Sequence, residues 1–375
     1  MFIALRDLWF ARGRFLLMAS VIALVAMLMV LLTGLANGLA EDNIGAIRQL
    51  PSDHLAFSAE TGAKFDRSSV SLDQVEAVAA TPGVTRAAPL GRTLFLGKVT
   101  DGPTVDLVML GMVPGSFIVP SPSDGQALGS RPDGVLISQG LVDQGVAIGD
   151  VITLDRVGTR LTVIGTTGKA SQGHVPAVYA PLRLWQEATY GPPGGAPDGT
   201  AFPDSVYRTA TVVALDTRSG ADLGAMDRSV GLVTLTKTEA YGASSGYKEE
   251  TGTLLMIEGF LYVIAALLVG AFLTVWTIQR RSEIGLIKAL GASTAYLLRD
   301  ALGQAAIVLV SATAVGVAIG LGLGALIGGS VPFALGAGPV LFASGLVVVM
   351  GLLGGSIAIR RITSVDPLIA LGGAR

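Results

Sequence analysis

Four stretches of the chain lose nearly all polar residues for longer than a strand or a buried core helix needs. Phe15 to Leu35 is apolar except for a few small hydroxyl residues, and Thr253 to Ile278 holds a single charge, Glu258. Ala301 to Leu326 and Val340 to Ile359 repeat the pattern. At about 1.5 Å of rise per residue, some 20 such residues cross a hydrocarbon core of about 30 Å. The pattern therefore predicts four transmembrane helices, over 15–36, 253–279, 301–327 and 340–359, the last two joined by an uncharged exterior loop, 328–339. The first run exceeds the core of about 7 to 15 apolar residues of a cleaved signal peptide, so it is read as a span.

Between the first two spans the pattern changes. Over 37–250 charges, Pro, Asp and Gly return, and no apolar run exceeds strand length. Ser71-Leu72-Asp73-Gln74 has the spacing of a capping box and predicts a short helix from Val75 to Ala80, ended by Thr81-Pro82-Gly83. Strands are expected over Thr93 to Val99, Thr104 to Gly111, Gly134 to Ser138, Val151 to Asp155, Arg160 to Thr166, Thr209 to Leu215 and Gly231 to Thr236. Asp155 to Thr159 reads as a hairpin turn and Pro192 to Pro203 as a mobile surface loop. The fold class is membrane α-helical, four spans with one large extracytoplasmic α+β domain.

Composition strengthens the membrane reading: 51% hydrophobic and 14% charged residues, a mean hydropathy of +0.62, and 50 glycines for close helix packing in lipid. Charge supplies orientation. Arg6, Arg12 and Arg14, then Arg280, Arg281, Lys288 and Arg299, then Arg360, Arg361 and Arg375 all fall on one side of the predicted spans. That places both termini in the cytoplasm, with 1–14 and 360–375 as cytoplasmic ends, and the large domain outside a cell membrane.

Candidate chemistry narrows the function. A net charge of -2 argues against nucleic acid, and zero cysteines exclude disulfides and thiolate metal sites. No Gly-x-x-x-x-Gly-Lys-Ser/Thr loop, His-Glu-x-x-His pair or Gly-x-Ser-x-Gly elbow occurs, and His54 and His174 read as structural. The chain therefore offers no catalytic residue and no nucleotide site, so an energy source must lie on a partner.

The basic stop Gln279-Arg280-Arg281-Ser282-Glu283 leads into Ile284-Gly285-Leu286-Ile287-Lys288-Ala289-Leu290-Gly291-Ala292-Ser293, too short to be a span. It predicts a short cytoplasmic helix, capped by Ser282 and stopped at Gly291, within a segment covering 280–299. Together with Thr81-Pro82-Gly83-Val84, Gly149 to Leu154 and the closing Arg360 to Leu371, it resembles the permease subunits of the MacB, LolC and FtsX group, type VII (MacB-like) ABC transporters. The resemblance covers essentially the whole chain. It implies a coupling role for Glu283, Ile284, Gly285, Leu286, Lys288, Ala289 and Gly291. It also implies a permease homodimer in membrane lipid, two copies of a cytoplasmic ATPase that holds ATP and Mg²⁺, and no intrinsic cofactor.

Leu31 to Leu39 with Asn43, Ala46-Ile47 and Leu50 to Asp53, and Tyr247 to Leu254, resemble the DevC and HrtB branch. That resemblance implies haem as the transported ligand, with Glu250 at the position of a glutamate that holds haem. Tyr247, Glu249, Met256, Met27, Met29 and Glu258 are the further candidates, with haem iron taken by Glu250 or Met29. Carboxylate and thioether ligands suit an export site, which should bind its cargo weakly, and an ionisable residue inside a span is a functional suspect. Plain readings stand beside these: Glu249 and Glu250 as solvated interfacial charges, the methionines as packing residues, Tyr247 and Tyr262 as an aromatic belt. Two function classes stay open. One is an exporter of haem, lipid, lipoprotein or drug; the other is an FtsX-like transducer that activates a cell-wall enzyme.

Overall fold

The computed structural model describes residues 12–155, 157–192, 202–279, 293–327 and 331–363. In chain order these form α1 (Arg12–Arg48), β1 (His54–Ser58), β2 (Val70–Ser71), α2 (Leu72–Ala79), β3 (Val84–Val99), β4 (Thr104–Met112), β5 (Asp124–Gly125) and β6 (Gly134–Ser138). There follow α3 (Gln139–Val142), β7 (Val151–Leu154), β8 (Arg160–Thr167), β9 (Ser171–Gln172), β10 (Val175–Pro181), α4 (Leu182–Tyr190), β11 (Thr209–Ala210), β12 (Val212–Thr217) and α5 (Leu223–Val230). Last come β13 (Leu232–Thr236), α6 (Lys237–Ala240), α7 (Tyr247–Gln279), α8 (Thr294–Ile327) and α9 (Ala337–Thr363). The chain divides into two units, 1–38 with 251–375, and 39–250.

The unit over 39–250 is built on an eleven-stranded sheet, in the order β13-β1-β12-β3-β4-β10-β6-β8-β5, with β7 beside β3 and β8 and β9 beside β10. Two pairs, β4 with β10 and β6 with β8, run parallel. Its centre is buried on both faces. Val108 and Leu110 of β4 and Tyr179 of β10 join one core with Phe57, Leu90 and Leu136. Leu107 and Met109 of β4 and Val178 of β10 join a second core, with Ile137, Leu161 and Trp185. Strands covered on both sides read as continuous apolar runs rather than alternating ones.

Local signals are realised where expected. Ser71 Oγ accepts from the Gln74 amide at 3.1 Å, and the Ser71 amide donates to Gln74 Oε1 at 2.8 Å, closing the capping box that starts α2. The hairpin between β7 and β8 is antiparallel. β1 and β10 were not anticipated. β10 carries Pro176 and Pro181, which punctuate a stretch whose only large apolar residues are Val175, Val178 and Tyr179.

In the other unit α1, α7, α8 and α9 are long and apolar enough to cross a membrane. Small residues set their spacing, as lipid supplies no hydrophobic force to press helices together. A Cβ added at Gly316 of α8 would lie 2.2 Å from the Ala23 carbonyl oxygen of α1, and one at Gly354 of α9 would lie 2.2 Å from that of Ala266 in α7. Phe333, in the connection before α9, sets its ring against Gly34 and Gly324, and the Ala334 amide donates to the Gly34 carbonyl at 2.9 Å. Side chains such as Leu255, Phe260, Leu267, Leu341 and Phe342 are left exposed, as a lipid-facing surface requires.

Both α1 and α7 outrun their predicted spans. The sequence pattern ends the first span at 36, where polar residues return from Asn37. Ile44 and Ile47 nevertheless continue a helical apolar stripe and are fully buried, which carries α1 on to Arg48. The coupling residues Glu283, Ile284, Gly285, Leu286, Lys288, Ala289 and Gly291 lie outside the described residues.

Candidate functional site

Gln172 and Val175 pair across a connection of two residues, Gly173 and His174, whose φ angles are +63° and +65°. Positive φ at both central positions is the mark of a type I′ hairpin turn, tolerated by glycine and unusual for histidine. The tip is fastened to the last turns of α1: the Gly173 amide donates to the Asn43 carbonyl at 2.9 Å and the His174 amide to the Asp42 carbonyl at 3.2 Å.

That fastening brings the imidazole into a polar cluster with Glu250 of α7. His174 Nδ1 lies 3.4 Å from Asp42 Oδ2, and Nε2 lies 3.4 Å from Glu250 Oε2. Asn43, fully buried, is the hub. Its Oδ1 accepts from Ser244 Oγ at 2.6 Å, and its Nδ2 reaches the Ser245 carbonyl at 3.3 Å, His174 Nε2 at 3.3 Å and Glu250 Oε2 at 3.5 Å. The imidazole is thus set between two carboxylates at equal distance, one facing each ring nitrogen. The cluster is reachable from solvent, with 41% of the His174 side chain and 24% each of Asp42 and Glu250 exposed.

Tyr247, one turn before Glu250, stacks edge-to-face on Tyr241 with ring centroids 6.2 Å apart, and Glu249 is exposed. Within the membrane-type unit, Thr33 Oγ1 of α1 donates to Glu258 Oε1 of α7 at 3.1 Å. Met29 is 1% exposed and packs with Ala343 and Val347 of α9 and Leu261 and Tyr262 of α7. Met27 turns to a different neighbour, lining an apolar groove of about 450 Å³ between α1 and α8 with Ala23, Leu24, Ala312 and Val315. The two serines in that wall, Ser20 and Ser311, donate to Leu17 and Val308 carbonyls of their own helices. The groove thus offers a thioether but no free hydroxyl proton. Met256 is 61% exposed on α7. Among the described residues no group of three or more His, Cys, Asp or Glu could hold a metal ion.

Of the residues singled out in the sequence, Glu250 and the resemblance-marked Asn43 come together, as do Met29 and Tyr262. His174, read as structural, and Asp42, not singled out, complete the Glu250 cluster. The available signal was Gln172-Gly173-His174-Val175, a turn pair between short strands.

Residues 15–231 match the MacB-like periplasmic core domain family, and residues 255–367 match the FtsX-like permease C-terminal family. The permease HrtB of Staphylococcus epidermidis, a protein named for hemin transport, is 22% identical over 100% of this chain and 99% of its own length. An uncharacterized ABC transporter permease of Mycobacterium bovis is 26% identical over 100% of this chain and 99% of its own length. The periplasmic region of MacB from Actinobacillus actinomycetemcomitans superposes with a TM-score of 0.37 at 9% identity, covering 54% of this chain and 95% of that one.

Proposed function

Because the chain belongs to the MacB-like, FtsX-type permeases of ABC transporters, we propose that it exports haem taken from the membrane, driven by a separate ATPase. The observation that carries this reading is Glu250. It is a partly exposed carboxylate at the start of α7, held by Asn43 and His174. A full-length likeness to a permease named for hemin transport supports the cargo. Glu258, a carboxylate inside a span with Thr33 as partner, is a second polar point that a cargo bearing a Lewis-acidic metal or donor groups could engage.

In this reading two permease chains pair in the lipid and two ATPase chains hold ATP and Mg²⁺ on the cytoplasmic side. Glu283 to Gly291 would pass ATPase motion to α7 and α8. Tilting of those helices would close the haem site and expel its content outward, with Met29 or Glu250 as the weak iron ligand. Both termini are cytoplasmic and the 39–250 domain is outside. A second reading, export of a lipid-like cargo, rests on the apolar groove lined by Met27, whose wall presents no free hydroxyl proton.

Co-expression with the ATPase subunit tests the proposal. Purified complex given haemin should develop a Soret absorbance, and cells should tolerate haemin. Glu250→Gln should remove both at unchanged protein level. Haemin tolerance and absorbance that ignore the substitution refute the cargo assignment and leave the groove as the favoured route.

A further inference from the structure

Asn43 is 0% exposed, on a helix end whose other buried side chains, Ile44, Ala46 and Ile47, are apolar. A buried amide is tolerated where its hydrogen bonds are made, and those of Asn43 run to three separate segments. Oδ1 accepts from Ser244 Oγ at 2.6 Å, Nδ2 donates to the Ser245 carbonyl at 3.3 Å and to Glu250 Oε2 at 3.5 Å, and the backbone carbonyl accepts from the Gly173 amide at 2.9 Å. The Ser245 carbonyl and an ionised carboxylate only accept, so the Nδ2 end of the amide has to face them. Turned over, it would set Oδ1 against both. The orientation holds for either charge of His174, because a proton on its Nε2 has Glu250 Oε2 as acceptor at 3.4 Å.

Glu250 is less constrained by its own helix. It lies in the first turn of α7 with its amide bonded to the Gly246 carbonyl at 2.9 Å, but its carboxylate hangs on three rotatable bonds and its side chain is 24% exposed. We propose that Asn43 is the positioning residue for Glu250, an uncharged buried donor that turns the carboxylate toward the hairpin tip and presents it to cargo in one orientation. Being fully buried, Asn43 touches no cargo itself and acts through Glu250. Ser244 acts one step further out, by holding the amide the right way round. The inference rests on the reading that cargo reaches Glu250, and adds to it the residue that sets the direction of that carboxylate.

The test titrates haemin into the complete permease–ATPase complex by Soret absorbance, and measures the rate of ATP hydrolysis at saturating haemin. Loss of one hydrogen bond corresponds to about fivefold in a binding constant. Asn43→Leu, close in volume and without an amide, should raise the haemin dissociation constant about fivefold and leave the saturated rate as in wild type. Ser244→Ala, which lets the amide turn over, should move the constant the same way by a smaller factor, and it carries the test where Asn43→Leu fails to assemble. Ser71→Ala, which weakens the domain away from the cluster, should leave haemin affinity unchanged, so lost stability alone does not imitate the effect. A fall in the saturated rate marks a merely structural role and overturns the inference. If Glu250→Gln abolishes haemin binding while Asn43→Leu and Ser244→Ala bind as wild type does, the inference fails and the cargo reading survives. If wild-type complex binds no haemin, both fall.

Discussion

Ser71 does local work that can be measured alone. Its hydroxyl and the Gln74 side chain satisfy two amides at the start of α2 that no helical carbonyl reaches. Ser71→Ala should cost about 1 kcal/mol, read as a lower urea midpoint at unchanged slope. Tyr179 gives the domain an alkaline limit. Burial pushes its phenol up to about 12, whereas an unfolded tyrosine ionises near pH 10. Below pH 10 both states are neutral and stability is intact. As pH rises from 10 toward 12 the unfolded chain sheds the proton first, and roughly 2 to 3 kcal/mol drains away. Alkaline unfolding of Tyr179→Phe should lack that slope. The Ser71 box was legible because both partners lie within four residues. The place of His174 was not, because from a hairpin turn it meets Asn43, 131 positions away, and Glu250 at the start of α7.

At the scale of elements, the long helices declared themselves through uninterrupted apolarity, which depends on no partner. Their ends did not. α1 runs past Asn37 to Arg48 because Ala46 and Ile47 find a core made by distant strands, information no window of neighbouring residues holds. β10 escaped for the same reason: Val175 to Pro181 looks weak alone, yet it lies between β4 and β6 with both faces covered. The seam between α7 and α9 can be tested directly. Leucine at position 354 would start with its Cβ 2.2 Å from the Ala266 carbonyl, so the helices must separate. Overpacking of this kind costs about 1 to 3 kcal/mol. Gly354→Leu should lower the melting temperature in detergent, and Gly322→Leu, at a position open to space, should not.

For the whole molecule, the division of labour with a motor follows from membership of the permeases of ABC transporters, a family that implies a partner ATPase. Replacing the catalytic carboxylate of the partner ATPase should abolish haemin tolerance in cells while leaving haemin absorbance of the purified complex unchanged. Membership of the permease family was legible from coupling-segment residues that lie outside the described ones. The cluster of Asp42, Asn43, His174 and Glu250 was not, since it exists only after a hairpin, a helix end and a helix start have met. One further consequence comes from the aromatic ring of Phe333. It is seated against Gly34 of α1 and Gly324 of α8 and backed by the Ala334–Gly34 hydrogen bond, and so acts as a dowel through two beams. Sliding α1 along α8 would have to shear it, so these two helices are expected to move as one.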